Sequence, residues 1–333
     1  MGCISCIFST KFLLSILLLS AIPIGILIGL ERAPPSTHVY QYHSNSWLRE
    51  CVKWDHLGNR FIVSYMEGGV GVVNVPDQQE KGSDRVVLDE ITVVKDADLA
   101  GNGSVGIVID RPRNRLLVVV ADVIGNRYGG LAAYDLSSWQ RLFITHLSGP
   151  GDEKTLADDV AVDDEGNTYV TDAKQSKIWK VNVDGKLLST ITSPLFTFKE
   201  WYKNLIALNG IVYHPDGYLL VIHTTSGTLY KIDLKKGDGS IKLVKILTGS
   251  LVLGDGLELL SPSKLVVAGN PSGRLLESSD GWETASVTGK FWGPVHRLTT
   301  AATVKDGKVY LSCLFGLGYP KRKHVIVEAE FSN

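Results

Sequence analysis

Six stretches of this chain are built alike, and their spacing is the tightest constraint on its fold. Asp158-Asp159-Val160-Ala161-Val162 leads through Asp163-Asp164-Glu165-Gly166 into NTYVTD and then KIWKVNV. Asn209-Gly210-Ile211-Val212-Tyr213 leads through His214-Pro215-Asp216-Gly217 into YLLVIH and then TLYKIDL. The same order of β-branched run, turn, run, turn, run follows Glu50, Val105, Asp255 and Thr300. These six starts are separated by 55, 53, 51, 46 and 45 residues, and together the units consume the chain from about residue 41 to its end. Apolar residues recur two and four positions after each start, the alternation of a strand with one packed face. A period near fifty with several strands per unit predicts an all-β, six-bladed β-propeller over residues 41–333, each blade a small antiparallel sheet. A β-sandwich has similar strand content but gives no reason for six units in one register.

Blades of such a fold begin with the strand nearest the central channel, so the first residues of the repeats fall on one ring. In order the ring reads Glu50, Val105, Asp158, Asn209, Asp255 and Thr300. Three carboxylates and an amide oxygen converging there repel one another unless a cation lies between them. A hard divalent ion, Ca²⁺ before others, accepts such a shell of oxygens. The ring contains no His or Cys, which argues against zinc or copper. Asp163, Asp164, Asp216 and Asp306 fall between strands and read as turn formers.

With the blade starts in view, the chain resembles the senescence-marker-protein-30, gluconolactonase and luciferin-regenerating-enzyme family, in particular its plant calcium-dependent phosphotriesterase-like branch. The likeness runs from about Trp47 to the end and rests on RECVKWD, LNGIVY and GDGLEL. It implies that Glu50, Asn209 and Asp255 are metal ligands and that Asp158 takes the place of a family Asn. It also implies ester, lactone or phosphotriester hydrolysis, with Asp255 as the catalytic residue that activates water or attacks. One departure concerns the substrate: Leu156 stands where sugar-lactone members carry an Arg two residues before the third-blade ligand. The other reading is a non-catalytic, membrane-tethered propeller scaffold whose Ca²⁺ is structural.

Around the mouth, His296 of FWGPVHRLTT is a candidate pocket residue. So are Trp292, Trp201 and Phe198, on connections leading into first strands, and they suit a small-molecule substrate with apolar character. Gly103-Ser104-Val105-Gly106 lacks the first glycine of a nucleophile elbow, because Asn102 stands there.

Ahead of the repeats, Phe12 to Leu30 is uncharged and apolar, long enough to span a bilayer. It exceeds the apolar stretch of an ordinary signal peptide and lacks a clear cleavage site, so it reads as a transmembrane signal anchor, with a cleaved signal peptide as the alternative. Residues 1–11 precede it, and MGCISC there only approaches an acylation signal, since Cys6 stands where Ser or Thr is wanted. Residues 31–40 form a Pro-containing linker. Asn102-Gly103-Ser104 is a glycosylation sequon, of consequence only if the propeller is lumenal or extracellular. The expected location is accordingly the secretory pathway, membrane-anchored or secreted. A net charge of −1 with scattered Lys and Arg leaves no field for nucleic acid. Cys51 and Cys313 are expected as two buried thiols rather than a bridge.

Overall fold

The computed structural model describes residues 10–76, 87–235 and 240–332, so the MGCISC segment lies outside the described residues. The chain divides into two compact parts between Ser36 and Thr37. In the first part, helix α1 (Thr10–Arg32) carries an exposed, apolar surface along its length. Its 23 residues rise about 34 Å, which matches the roughly 30 Å core of a bilayer. Two serines are compatible with that setting: the Ser15 and Ser20 hydroxyls donate to the backbone carbonyls of Lys11 and Leu17. By length and composition α1 fits a signal anchor or a signal peptide.

The second part is all-β apart from short 3₁₀ turns among the described residues. Its strands form antiparallel meanders that open with six first strands: Arg49–Asp55, Gly103–Asp110, Ala157–Val162, Leu208–His214, Gly254–Ser261 and Thr299–Lys305. Each first strand touches the next, and the last touches the first, so they close a ring. The core follows this arrangement and is divided among six apolar layers, each between successive meanders. Ile62 and Val72 meet Ile107 and Val118 in one layer, and Tyr42 and Ile326 meet Val52 and Val63 in the layer that closes the circle. Second strands are therefore buried on both faces. Arg115–Ala121 (RLLVVVA) is buried at every residue, which explains its continuous apolar run where a half-exposed strand would alternate.

The folded part starts at Thr37, four residues before the expected boundary at 41. The Thr37 hydroxyl donates to the Glu328 carbonyl, and a strand not foreseen from the repeats, Val39–Ser44, pairs with Arg322–Glu328. That strand is the fourth of the last meander, although it comes first in the chain. It also pairs in parallel with Val87–Val94, the outermost strand of the first meander, so these two meanders form one eight-stranded sheet. Arg49 cements the seam. Its guanidinium holds both oxygens of the buried Glu90 at 2.8 Å, reaches Glu67 at 2.9 Å, also bonds Ser44, and lies 3.9 Å from the Tyr65 ring centre.

Candidate functional site: an acidic ring of bulged residues

The ladder between first and second strands slips in all six meanders at the same place. Pairing jumps from Arg49↔Tyr65 to Val52↔Val63, from Ala157↔Asp172 to Val160↔Val170, from Leu208↔His223 to Ile211↔Val221 and from Gly254↔Gly269 to Leu257↔Val267. The second and sixth meanders do likewise around Val105 and Thr300. Left out of the ladder are the repeat start and the residue after it in the first five meanders, and Thr300 alone in the sixth. Each start stands in a β-bulge, the device that re-aims a side chain out of the regular pleat.

The residue after each start shows how closely the bulges nest. A Cβ on Gly210 would lie 2.2 Å from the Asp255 carbonyl, and one on Gly256 would lie 2.6 Å from the Thr300 carbonyl. Gly106 is closed in the same way by Asp158 and Asp159. Where the residue is not glycine, it is itself engaged. Asp159 accepts the N–H groups of Val160 and, on the next first strand, of Ile211, at 2.8 and 3.2 Å. Hydroxyls opposite the bulges satisfy the freed backbone: Ser64 accepts from the Cys51 N–H at 2.9 Å, and Thr171 accepts from Asp159 while donating to the Asn209 carbonyl at 2.7 Å. The Thr300 hydroxyl donates to the Glu50 carbonyl, joining the sixth bulge to the first.

The four expected ligands all stand on this ring. Asp158 and Asn209 are buried, while Glu50 and Asp255 keep partial access. Burial and then the nearby charges of Asp158 and Asp255 push the Glu50 carboxyl well above its ordinary range. Burial, then Asp255 and Asp159, does the same to Asp158. Asp255 is raised to about 7, by burial and then by Asp159, although a hydrogen bond with the Asn209 side chain opposes the rise. Lys53 brings positive charge to the cluster and counteracts the rise at Glu50, but its ammonium is bonded to Glu258 at 2.7 Å and to the Ala302 carbonyl at 3.1 Å. Negative charge is left in excess. Among the described residues, however, no three His, Cys, Asp or Glu side chains stand close enough to hold a metal ion as they are. The donors thus suit a hard cation by chemistry and by charge, with Asn209 and water needed to complete any shell.

Lys53, Glu258 and Asp159 were missed in the sequence, and a signal for two of them was present. Lys53 and Glu258 each stand three residues after a ring residue, Glu50 and Asp255, which puts them in one register below the ring. Of the remaining candidates, Trp201 and Trp292 are exposed on the lead-in connections, and His296 is half-buried in the 3₁₀ turn Val295–Arg297. Phe198 sits edge-on to His223, 5.1 Å between ring centres. Leu156 packs against the apolar layer around Val105 and Val160. Asn102 is half-buried beside its strand, and the Ser104 hydroxyl of its sequon accepts the Gly69 N–H at 3.1 Å. Cys51 and Cys313 are both buried and are not joined in a disulfide.

These features define a β-propeller protein with an acidic ring on its first strands. Among the solved structures that share the fold are the following three. The major allergen Mala s 1 of Malassezia sympodialis has a TM-score of 0.67 at 16% identity, over 90% of this chain and 97% of that one. A protein of unknown function from Bacteroides caccae has a TM-score of 0.52 at 15% identity, over 74% and 82% of the two chains. Streptogramin B lyase has a TM-score of 0.50 at 10% identity, over 88% and 98%. At such identities the likeness is one of fold. No family model matches the chain, and no curated protein is similar to it in sequence.

Proposed function

We propose that the meanders are the blades of a six-bladed propeller of the senescence-marker-protein-30 and gluconolactonase type, and that the protein is a Ca²⁺-dependent hydrolase of lactones, esters or phosphotriesters. The observation that supports this reading is that Glu50, Asp158 and Asp255 share one ring, where the charges of Asp158 and Asp255 raise the proton affinity of Glu50 and that of Asp255 raises Asp158, with Asn209 bonded to Asp255. Such a cluster is expensive to hold without a cation. Glu50, Asp158, Asn209 and Asp255 would hold the ion, which supplies Lewis-acid polarisation of a carbonyl or phosphoryl oxygen when bound. Asp255 is the residue assigned to take a proton from water at its carboxylate, and Asn209 orients that carboxylate. Lys53 and Glu258 bind one another below the ring and keep that level charge-neutral.

The test is a Ca²⁺ titration of the full chain, with Asp255→Asn beside it, read by melting and by turnover of lactones, aryl esters and phosphotriesters. Ca²⁺ at a hundredfold excess over its Kd should stabilise the wild type by about 3 kcal/mol and the variant by far less. Turnover should need both Ca²⁺ and Asp255. Stabilisation without any turnover would instead support a membrane-tethered scaffold with structural Ca²⁺. No effect of Ca²⁺ on either property removes the metal from the ring.

A further inference from the structure

The backbone just above the ring holds two outliers. Leu253 and Leu298 have φ of 59° and 51°, a region that a branched, bulky L-residue seldom enters and that glycine enters freely. Both leucines are exposed, 47% and 37%, so burial does not account for them. Each stands two residues before a ring position, Asp255 or Thr300. The same offset from Glu50, Val105, Asp158 and Asn209 gives Leu48, Gly103, Leu156 and Ala207. Four of six positions in this level are leucine and none is charged, directly beside a level rich in carboxylates.

The apolar level continues outward along the lead-ins to the fourth, fifth, sixth and first meanders. Backbone hydrogen bonds tie the lead-in segments into an arc: Leu253 to Thr224 and Asn270, Leu314 to Leu298, and Gly316 to Trp47. Along it Leu205, Val252, Trp292 and Trp47 are exposed between 44 and 62%. The lead-ins to the second and third meanders are unlike this, with Asp96, Asp98, Asp152 and Glu153. An apolar half-rim beside an acidic ring suits a small amphiphile better than a symmetric partner surface. Backbone held in such a region clusters at active sites and ligand clamps.

We propose that Leu253 and Leu298, with Leu48 and Trp292 around them, form a collar that binds the apolar chain of a small-molecule substrate while the ring beneath receives its polar, reacting group. This rests on the hydrolase reading for the reacting group and deepens it by naming the substrate class: alkyl-substituted lactones and esters rather than sugar lactones.

The experiment measures dissociation constants for γ-lactones bearing side chains of one to six carbons, by intrinsic tryptophan fluorescence of the full chain. Wild type, Asp255→Asn, Leu253→Gly and Leu298→Gly are compared. Affinity should rise roughly two- to fourfold per methylene in wild type and in Asp255→Asn. Both glycine variants should lose most of that dependence while melting no lower than wild type, since glycine relieves the positive φ. Equal affinity at every chain length, or an unchanged slope in the glycine variants, overturns the collar. A glycine variant that melts lower and binds normally does so too, because the leucine is then structural. Chain-length-dependent binding without turnover in wild type upholds the collar and removes the hydrolase reading.

Discussion

His223 and His324 are fully buried imidazoles whose proton affinity is set by their surroundings. Burial pulls both down to about 4. The backbone of His223 itself and then that of Phe196 oppose this at His223, where neither ring nitrogen makes a well-formed hydrogen bond. At His324 one nitrogen meets the Ser46 carbonyl at 2.9 Å, and the charges of Arg49 and Arg297 push further downward. In the unfolded chain both titrate near 6.5. Between about pH 6.5 and 4 the unfolded state therefore binds more protons, so stability falls as pH drops through that window and these groups contribute no further loss below it. The loss should approach about 3 kcal/mol for each imidazole. Denaturant midpoints at pH 7.5, 5.5 and 4.5 should show it, and His223→Leu should flatten the slope. An equal slope in that variant would assign the acid sensitivity elsewhere.

At the scale of the element, the bulged first strand is the unit that makes the site. It takes the repeat start out of the ladder, with the following residue as well in five of the six meanders, and at Gly106, Gly210 and Gly256 the next first strand lies directly against that following residue. Gly256→Ala places a methyl 2.6 Å from the Thr300 carbonyl and 3.0 Å from the Ala301 Cα, and Gly210→Ala is closed more tightly still. Backbone cannot swing aside as a side-chain tip can, so each should cost about 1–3 kcal/mol. Gly149→Ala, with open space around it, serves as the control and should melt like wild type. Melting temperatures decide the matter, and equal values for Gly256→Ala and Gly149→Ala would show that the bulges do not nest. The dipeptides Val105-Gly106, Asn209-Gly210 and Asp255-Gly256 recur in register and were readable as a repeat. Their meaning was not, because the atoms that exclude a Cβ lie on strands about fifty residues away.

For the whole molecule, closure depends on Val39–Ser44. It buries Tyr40 and Tyr42, pairs with the last strand of the chain and with the first meander, and brings Ser44 to Arg49. A chain shortened to begin at Asn45 loses the burial of both tyrosines and the fourth strand of its last meander. It should be less stable by at least about 4 kcal/mol than one beginning at Thr37, and its unfolding should broaden. Equal, sharp transitions for the two chains would refute a ring held shut by this strand. The repeat period pointed to a propeller from the spacing of short strands. It was silent on this strand, which lies before the first repeat and belongs to the last.

By itself the sequence determined the all-β character, the repeat register, the apolar N-terminal segment and the common level of Glu50, Asp158, Asn209 and Asp255. All of these are local patterns or patterns copied along the chain, so they survive without any knowledge of what touches what. Only the tertiary structure decided that the ring residues are bulged, that Lys53 is committed to Glu258, that Leu253 and Leu298 are exposed in left-handed conformations, and that the first strand completes the last sheet. Each of these depends on contacts between segments far apart in sequence. The energy of such a contact belongs to the pair, and neither partner's residue type carries it alone.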